Sequence, residues 1–303
     1  MTDDEVIVGY DGSARSRDAL ALGRRLAEVL TARVVLAYVY SPAVVGGDVG
    51  SVYTLIVRQR AEDVLREAPA PGVGDRRAVA AHSVARGLHR LADEEGAVLV
   101  AVGSSDDAAP GRTKPSGVAQ RLLHGSPCAV SVAPAGYAET APWARRRILV
   151  GYIPTDDGAA ALRAGAALAG ATGAVLRLVT VVAPVTPALG EADARRYLQA
   201  VKQDRRRALD EAVGTLSGRV TVEAEVLEGR PAEILRASST DADLVVVGSR
   251  GYGPVRQVLL GSVSAKLLDD VGAPVIVLPR GADRELAAAV PAPPPRNPPI
   301  RHV

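Results

Sequence analysis

Phenylalanine is missing from all 303 residues, and cysteine, methionine and tryptophan occur once each. A single cysteine, Cys128, excludes an intrachain disulfide and fits a reducing compartment. It precedes the apolar run Ala129-Val130-Ser131-Val132 with no basic neighbour, which makes it a buried structural thiol. Aromatic residues are only 3% of the chain, too few to furnish the stacking platforms of a nucleic-acid groove. Charge of one sign is lacking as well: 36 basic residues face 34 acidic ones, and a net +2 leaves no footprint for a polyanionic polymer. The triplets Arg145-Arg146-Arg147 and Arg205-Arg206-Arg207 therefore read as solvated charged faces. No apolar run approaches the roughly 18 residues of a membrane span. The start, Thr2-Asp3-Asp4-Glu5, is the opposite of a basic signal peptide. Together these absences predict a cytoplasmic protein that engages neither membrane nor nucleic acid.

Several catalytic signatures are missing too. His82, His89, His124 and His302 are scattered without metal-ligand spacing, and His89 falls on an amphipathic helix as a surface or packing residue. The chain holds no G-x-x-x-x-G-K-S/T loop, no G-x-G-x-x-G opening a helix after the first strand, and no G-x-S-x-G elbow.

What the chain does contain is written twice. Val6-Ile7-Val8 leads into Gly9-Tyr10-Asp11, and Ile148-Leu149-Val150 leads into Gly151-Tyr152, with Gly151 standing 142 residues after Gly9. Leu99 to Gly103 recurs as Leu244 to Gly248, and Gly125-Ser126-Pro127-Cys128 lines up with Gly272-Ala273-Pro274-Val275. Matched landmarks in one order imply a tandem pair of domain-sized units. Within each unit, short apolar runs rich in β-branched residues alternate with helical periods. Examples are the stripe of Leu20, Leu22, Leu26, Val29 and Leu30, the strands 34–39, 175–182 and 220–226, and the helices 159–169 and 192–213. Continuous apolar strands separated by helices predict parallel sheets covered on both faces. The expected fold is α/β: two doubly wound, Rossmann-like sandwiches with five-stranded parallel sheets. The units are placed at 1–137 and 145–281, joined through Ala138 to Arg146, with a Pro-rich disordered tail over 282–303.

The chemistry concentrates after the fourth strand of the second unit. Gly248 ends that strand at its carboxyl edge, where open α/β sheets bind ligands. Gly251 lets backbone approach a ligand, and Ser262 caps a helix running from Val263 to Leu268. Free amides and the dipole at that helix start make an anion site, to which Ser262 and Ser264 add hydroxyls. The spacing Gly248, Gly251, Gly261-Ser262 is similar to the phosphate-binding motif of the ATP-binding universal stress proteins. Gly229-Arg230-Pro231-Ala232-Glu233-Ile234 and Asp241 to Gly248 also resemble that family, and the likeness covers about residues 5 to 280 in two copies.

The resemblance implies a stress-response protein that binds an adenine nucleotide. ATP, with a divalent cation such as Mg²⁺, would lie in the second unit. Gly248, Gly251, Gly261, Ser262, Val263 and Ser264 would cradle its phosphates, Arg250 or Arg256 would offset their charge, and backbone near Thr180-Val181, with Gly151, would receive the base. Binding with signalling, rather than turnover, is the expectation, because no general base is placed by the sequence. The family's nucleoside-contacting aspartate is kept in the first unit as Asp11, a weaker site residue, but the second unit has Ile153 there. Asp156 or Asp157 either substitutes or caps the next helix. The first unit departs in the opposite way: Asp106 stands at the middle glycine and Ser116-Gly117 inverts Gly-Ser, and two carboxylates would repel a polyphosphate unless a metal ion or Arg112 and Lys114 compensated. These departures keep two alternatives open, a nucleotide-independent interaction scaffold and a slow ATPase. In single-domain relatives two copies pair through their last strands, so 129–133 and 275–278 would pair within this chain, leaving homodimerisation open.

Overall fold

The computed structural model describes residues 4–43, 48–69, 71–141, 143–184, 191–216, 220–249, 266–279 and 283–291. The first unit runs β1 (Glu5–Gly9), α1 (Ala14–Leu30), β2 (Arg33–Tyr40), α2 (Asp48–Glu67), β3 (Asp75–Ala80), α3 (Val84–Glu94), β4 (Leu99–Gly103), α4 (Gly117–Leu123) and β5 (Ala129–Ala133). The second repeats the plan with β6 (Arg147–Gly151), α5 (Asp156–Thr172), β7 (Val175–Val182), α6 (Glu191–Gly214), β8 (Val222–Glu228), α7 (Pro231–Ser238), β9 (Leu244–Gly248) and β10 (Val275–Leu278). A last described helix, α8, spans Asp283–Ala289.

Strand alternation explains the layering. Along β1, Val6 and Val8 belong to one core cluster and Ile7 to the other, as a period of two requires. The same split recurs on β6, where Ile148 and Val150 face one side and Leu149 the other. Helices α1 and α5 cover the first face, while α3, α4 and α7 contribute to the second. Both faces are therefore buried, which is why the strands read as continuous apolar runs.

The ten strands form one sheet in the order β3-β2-β1-β4-β5-β10-β9-β6-β7-β8. Every pairing within a unit is parallel, with Gly9 opposite Ala37 and Gly151 opposite Val179. The units meet at β5 and β10, which pair antiparallel through Val132 and Val275, Ser131 and Ile276, and Val130 and Val277. The built-in pairing of last strands makes one sheet of the two, and each core cluster runs through both units.

The connecting segment is fastened at both ends by buried carboxylates. Asp18 on α1 accepts the amides of Gly136 (2.8 Å) and Ala138 (2.9 Å), and Asp243 accepts those of Arg145 (3.0 Å) and Arg147 (3.1 Å). Between them Arg25 lies over the Tyr137 ring, 4.4 Å from its centroid. The expectation of a disordered tail from 282 is corrected at its start: residues 283–289 are helical, and α8 packs on α5 with Leu286 fully buried. Seven residues are too few to reveal a helical period, and such a short helix forms because tertiary packing holds it. Residues 292–303 lie outside the described residues.

Candidate functional site

The strand order reverses beside β1, between β2 on one side and β4 on the other, so the connections leaving β1 and β4 run to opposite faces of the sheet and leave a crevice at the carboxyl ends. A cavity of about 460 Å³ occupies this point in the first unit, reached by Asp11, Arg15, Val39, Leu88, Val102 and Asp106 among its walls. Asp11 follows β1 at the rim and accepts the Ser13 amide at 3.0 Å. Partial burial would raise its pKa, but the Ser13 hydroxyl and amide and the Ser16 side chain bond to the charged form. They outweigh burial and hold the carboxyl below the ordinary aspartate value. Ser13 in turn caps α1, its hydroxyl accepting the Ser16 amide at 3.1 Å.

Arg15, which no motif in the sequence singles out, brings a guanidinium to the cleft. It donates to the Asp106 carbonyl at 3.4 Å and lies 3.5 Å from the Asp18 carboxylate. Gly103 lies beneath it, because a Cβ there would stand 2.2 Å from the Arg15 carbonyl oxygen. The helix start and the end of β4 touch backbone to backbone, and only glycine permits this.

The loop from Ser104 to Ser116 is occupied with itself and with the second unit. Ser105 donates its amide to the Lys114 carbonyl at 2.7 Å, and the Ser104 hydroxyl donates to Ala133 O at 2.7 Å while accepting the Lys114 amide at 3.2 Å. Lys114 pairs with Asp107, and Arg112 lies 3.5 Å from the Asp270 carboxylate. Hydrogen bonding to each other raises the Lys114 pKa and lowers that of Asp107. Lys114 therefore offsets the loop's own Asp107, whereas Arg112 is paired with Asp270 of the second unit. Thr113 is fully buried, its hydroxyl donating to Leu268 O (3.0 Å) and accepting the Val271 amide (3.2 Å). Ser116 caps α4 by accepting the Ala119 amide at 3.1 Å.

In the second unit the matching positions are Gly151 and Gly248, which end β6 and β9, and Val181, next to last in β7. Tyr152 donates its amide to Val179 O at 2.9 Å, as Tyr10 does to Ala37 O at 2.9 Å. Buried Thr180 adds a bond absent from the sequence reading, donating its hydroxyl to Tyr152 O at 3.0 Å. A Cβ on Gly248 would stand 2.5 Å from Asp157 O, repeating the contact at Gly103. Next to it, the Ser249 hydroxyl is buried with no partner among the described residues. Ile153 follows Tyr152 where the first unit has its carboxylate. The alternatives for Asp156 and Asp157 resolve differently: Thr155 is the cap, accepting the Gly158 amide at 3.2 Å, and the aspartates sit in the first turn, where the helix dipole favours them. Arg250, Gly251, Arg256, Gly261, Ser262, Val263 and Ser264 lie outside the described residues.

Other sites weighed in the sequence have structural roles. Cys128 is buried, and His89 donates Nε2–H to Leu122 O at 2.9 Å, tying α3 to α4. Arg147 and Arg206 pair with acids, at 2.6 Å to Asp241 and 3.0 Å to Asp210. Among the described residues no helix is long and apolar enough to cross a membrane, and no three His, Cys, Asp or Glu side chains cluster to hold a metal ion.

Comparison with known proteins places both units. The model of the universal stress protein family matches residues 4–134 and again 144–279. A universal stress protein of Mycobacterium bovis is 27% identical over 290 residues, covering 90% of this chain and 99% of that one. One from Thermus aquaticus is 36% identical over 135 residues, 44% of this chain and 98% of its own length. Among solved structures, a universal stress protein from Archaeoglobus fulgidus matches with a TM-score of 0.62 at 20% identity, covering 93% of this chain and 98% of that chain, a likeness of fold.

Proposed function

The chain belongs to the universal stress protein family, and from that premise we propose that it binds an adenine nucleotide, ATP with a divalent cation, in its second unit and signals by conformational change rather than turnover. What carries the reading is the junction of β9 with the glycine-rich segment that follows. Gly248 ends β9 at the reversal of strand order, in backbone contact with the start of α5, and the next residue holds a buried hydroxyl without a partner among the described residues. An orphaned buried donor costs stability unless something takes its hydrogen bond, and a phosphate oxygen would. The equivalent hydroxyl of the first unit, on Ser104, is already satisfied by Ala133 O and the Lys114 amide.

In this reading Gly151 and Val181 present backbone to the base, and Gly251, Gly261, Ser262, Val263 and Ser264 receive the phosphates with Arg250. The bound cation would neutralise phosphate charge. Isothermal calorimetry of the full chain with ATP and Mg²⁺, beside Gly261→Asp, tests this. One ATP per chain, abolished in the variant, is expected. No heat, with unchanged thermal stability at saturating ATP, would refute it and favour the scaffold, for which Ile153 and Asp106 speak.

A further inference from the structure

We infer that the outward face of α2 is a self-association surface, through which two copies of the chain pair about a two-fold axis with their α2 helices antiparallel. Pairing there needs no nucleotide, and it involves neither the seam of β5 and β10 nor the walls of the first unit's cleft.

The inner side of α2 is covered: Ala61 and Leu65 are buried and Val64 packs on the core, where the helix lies against β2 and β3. Its outer side stands in water. Val49, Val52, Tyr53, Leu55 and Ile56 are from 50% (Tyr53) to 83% (Val49) exposed, and they are five of the seven large apolar side chains exposed among the described residues. Val49, Val52, Tyr53 and Ile56 fall at i, i+3, i+4 and i+7, one face of two helical turns, with Leu55 flanking them. The fold does not demand such a stripe. At the same place in the second unit, α6 exposes Tyr197 as its one large apolar side chain among the described residues, beside exposed Arg195, Arg196, Gln199 and Gln203. The apolar face of α2 is therefore additional to what the architecture needs, and exposed apolar surface gathered in one place marks a contact.

A second copy is the occupant that fits. From Val49 to Val57 no residue carries a charge, so the stripe offers an anionic lipid surface or a nucleic acid nothing to attract it. Charges in the following turns are matched within the helix, Arg58 with Glu62 at 2.8 Å and Arg66 with Asp63 at 2.6 Å, and the face does not repel its own kind. With the axis between Val52 and Tyr53, antiparallel helices set Val52 against the second copy's Tyr53 and Val49 against the second copy's Ile56. Apolar then meets apolar at each position of the stripe. The two Arg60 side chains stand about 22 Å apart along the helices, whereas a parallel pair would set them side by side. Area agrees as well. The five side chains present on the order of 500 Å², at the upper end of what a monomer leaves in water, and the larger part of the about 800 Å² per partner of a standard dimer. Each copy offers one such face and that face contacts itself, so association closes at two.

Sedimentation velocity of the full chain without nucleotide, from about 1 to about 200 µM, tests this on wild type, Tyr197→Glu, and Val52→Glu combined with Ile56→Glu. Circular dichroism checks that each variant folds, as the exposure of all three side chains leads one to expect. Wild type and Tyr197→Glu should reach twice the chain mass and go no further. The double variant should weaken association about a hundredfold or more, since it places charge at the centre of the contact. Cross-linking reads the geometry. Cys128 is buried, so a thiol introduced by Val52→Cys or by Arg60→Cys is the one that a short bismaleimide reaches. Val52→Cys should give covalent dimers and Arg60→Cys none, and these milder single changes decide the matter where the double variant does not fold. A wild type that stays monomeric throughout overturns the inference, and flotation of that monomer with phosphatidylcholine vesicles would make lipid the occupant. A dimer untouched by the double variant, or lost in Tyr197→Glu, overturns it too. Equal cross-linking at positions 52 and 60 would overturn the antiparallel arrangement.

Discussion

Asp11 is ionised because its neighbours at the start of α1 donate to it, and that has a consequence for pH. Its folded pKa lies below the ordinary value of 3.8, so its contribution to stability is complete above that value and is lost as pH falls through the lower, folded one. The stability difference between wild type and Asp11→Asn, from urea denaturation, should be flat from about pH 7 to about pH 5 and shrink below about pH 4. A difference already declining near pH 6 would contradict the assignment. Gly248 makes a second residue-scale case. The sequence marks it as the carboxyl end of a strand, where open α/β sheets bind ligands, and the structure shows backbone nearing backbone there, with Asp157 O at 2.5 Å from an added Cβ. Gly248→Ala should cost about 1–3 kcal/mol, as overpacking does, because a main-chain oxygen cannot swing away. Gly151→Ala meets the Leu235 side chain at 3.1 Å and should be milder, since a side chain can shift. Urea midpoints of the two variants measure the contrast; equal losses would remove the argument.

At the scale of elements, legibility followed burial. The apolar run Val175 to Val182 is β7 to the residue, since a strand buried on both sheet faces announces itself by composition. Helix starts were less legible. The expected helix over 159–169 begins three residues earlier, at Asp156, because Thr155 caps it and alanines carry no period of their own. Helix α8 was not legible at all: Asp-Arg-Glu-Leu-Ala-Ala-Ala leads into a proline-rich end, and one leucine makes no pattern. That leucine is nonetheless fully buried against α5. Leu286→Ala should therefore cost about 2–4 kcal/mol, the range of buried leucine truncations. A loss within about 0.5 kcal/mol by urea denaturation, the size expected of a surface change, would mean that α8 does not dock.

At the scale of the molecule, duplication was legible because landmarks repeat in order, and pairing of the last strands was expected from the resemblance. The candidate site was legible only in part: Asp11 and Gly248 carry local signals, whereas Arg15 and Thr113 matter through contacts far along the chain, which no spacing encodes. Thr113 shows what joins the units beyond the β5 and β10 seam. Its hydroxyl both donates and accepts across 155 residues or more of sequence separation, to Leu268 and from Val271, in a fully buried place. Thr113→Val keeps the shape and strands both partners, so the expected loss is about 1–3 kcal/mol. Because both core clusters run through the two units, the loss should fall on the whole molecule. Trp143, the only tryptophan, sits in the connecting segment against the shared core and reports on it by fluorescence, while far-ultraviolet circular dichroism reports on all helices. In wild type the two urea transitions should coincide, and in Thr113→Val they should move together to lower urea. Transitions that separate in wild type would mean that the units unfold independently. Separation only in the variant would make Thr113, rather than the strand seam, the contact that holds the two sites to one another.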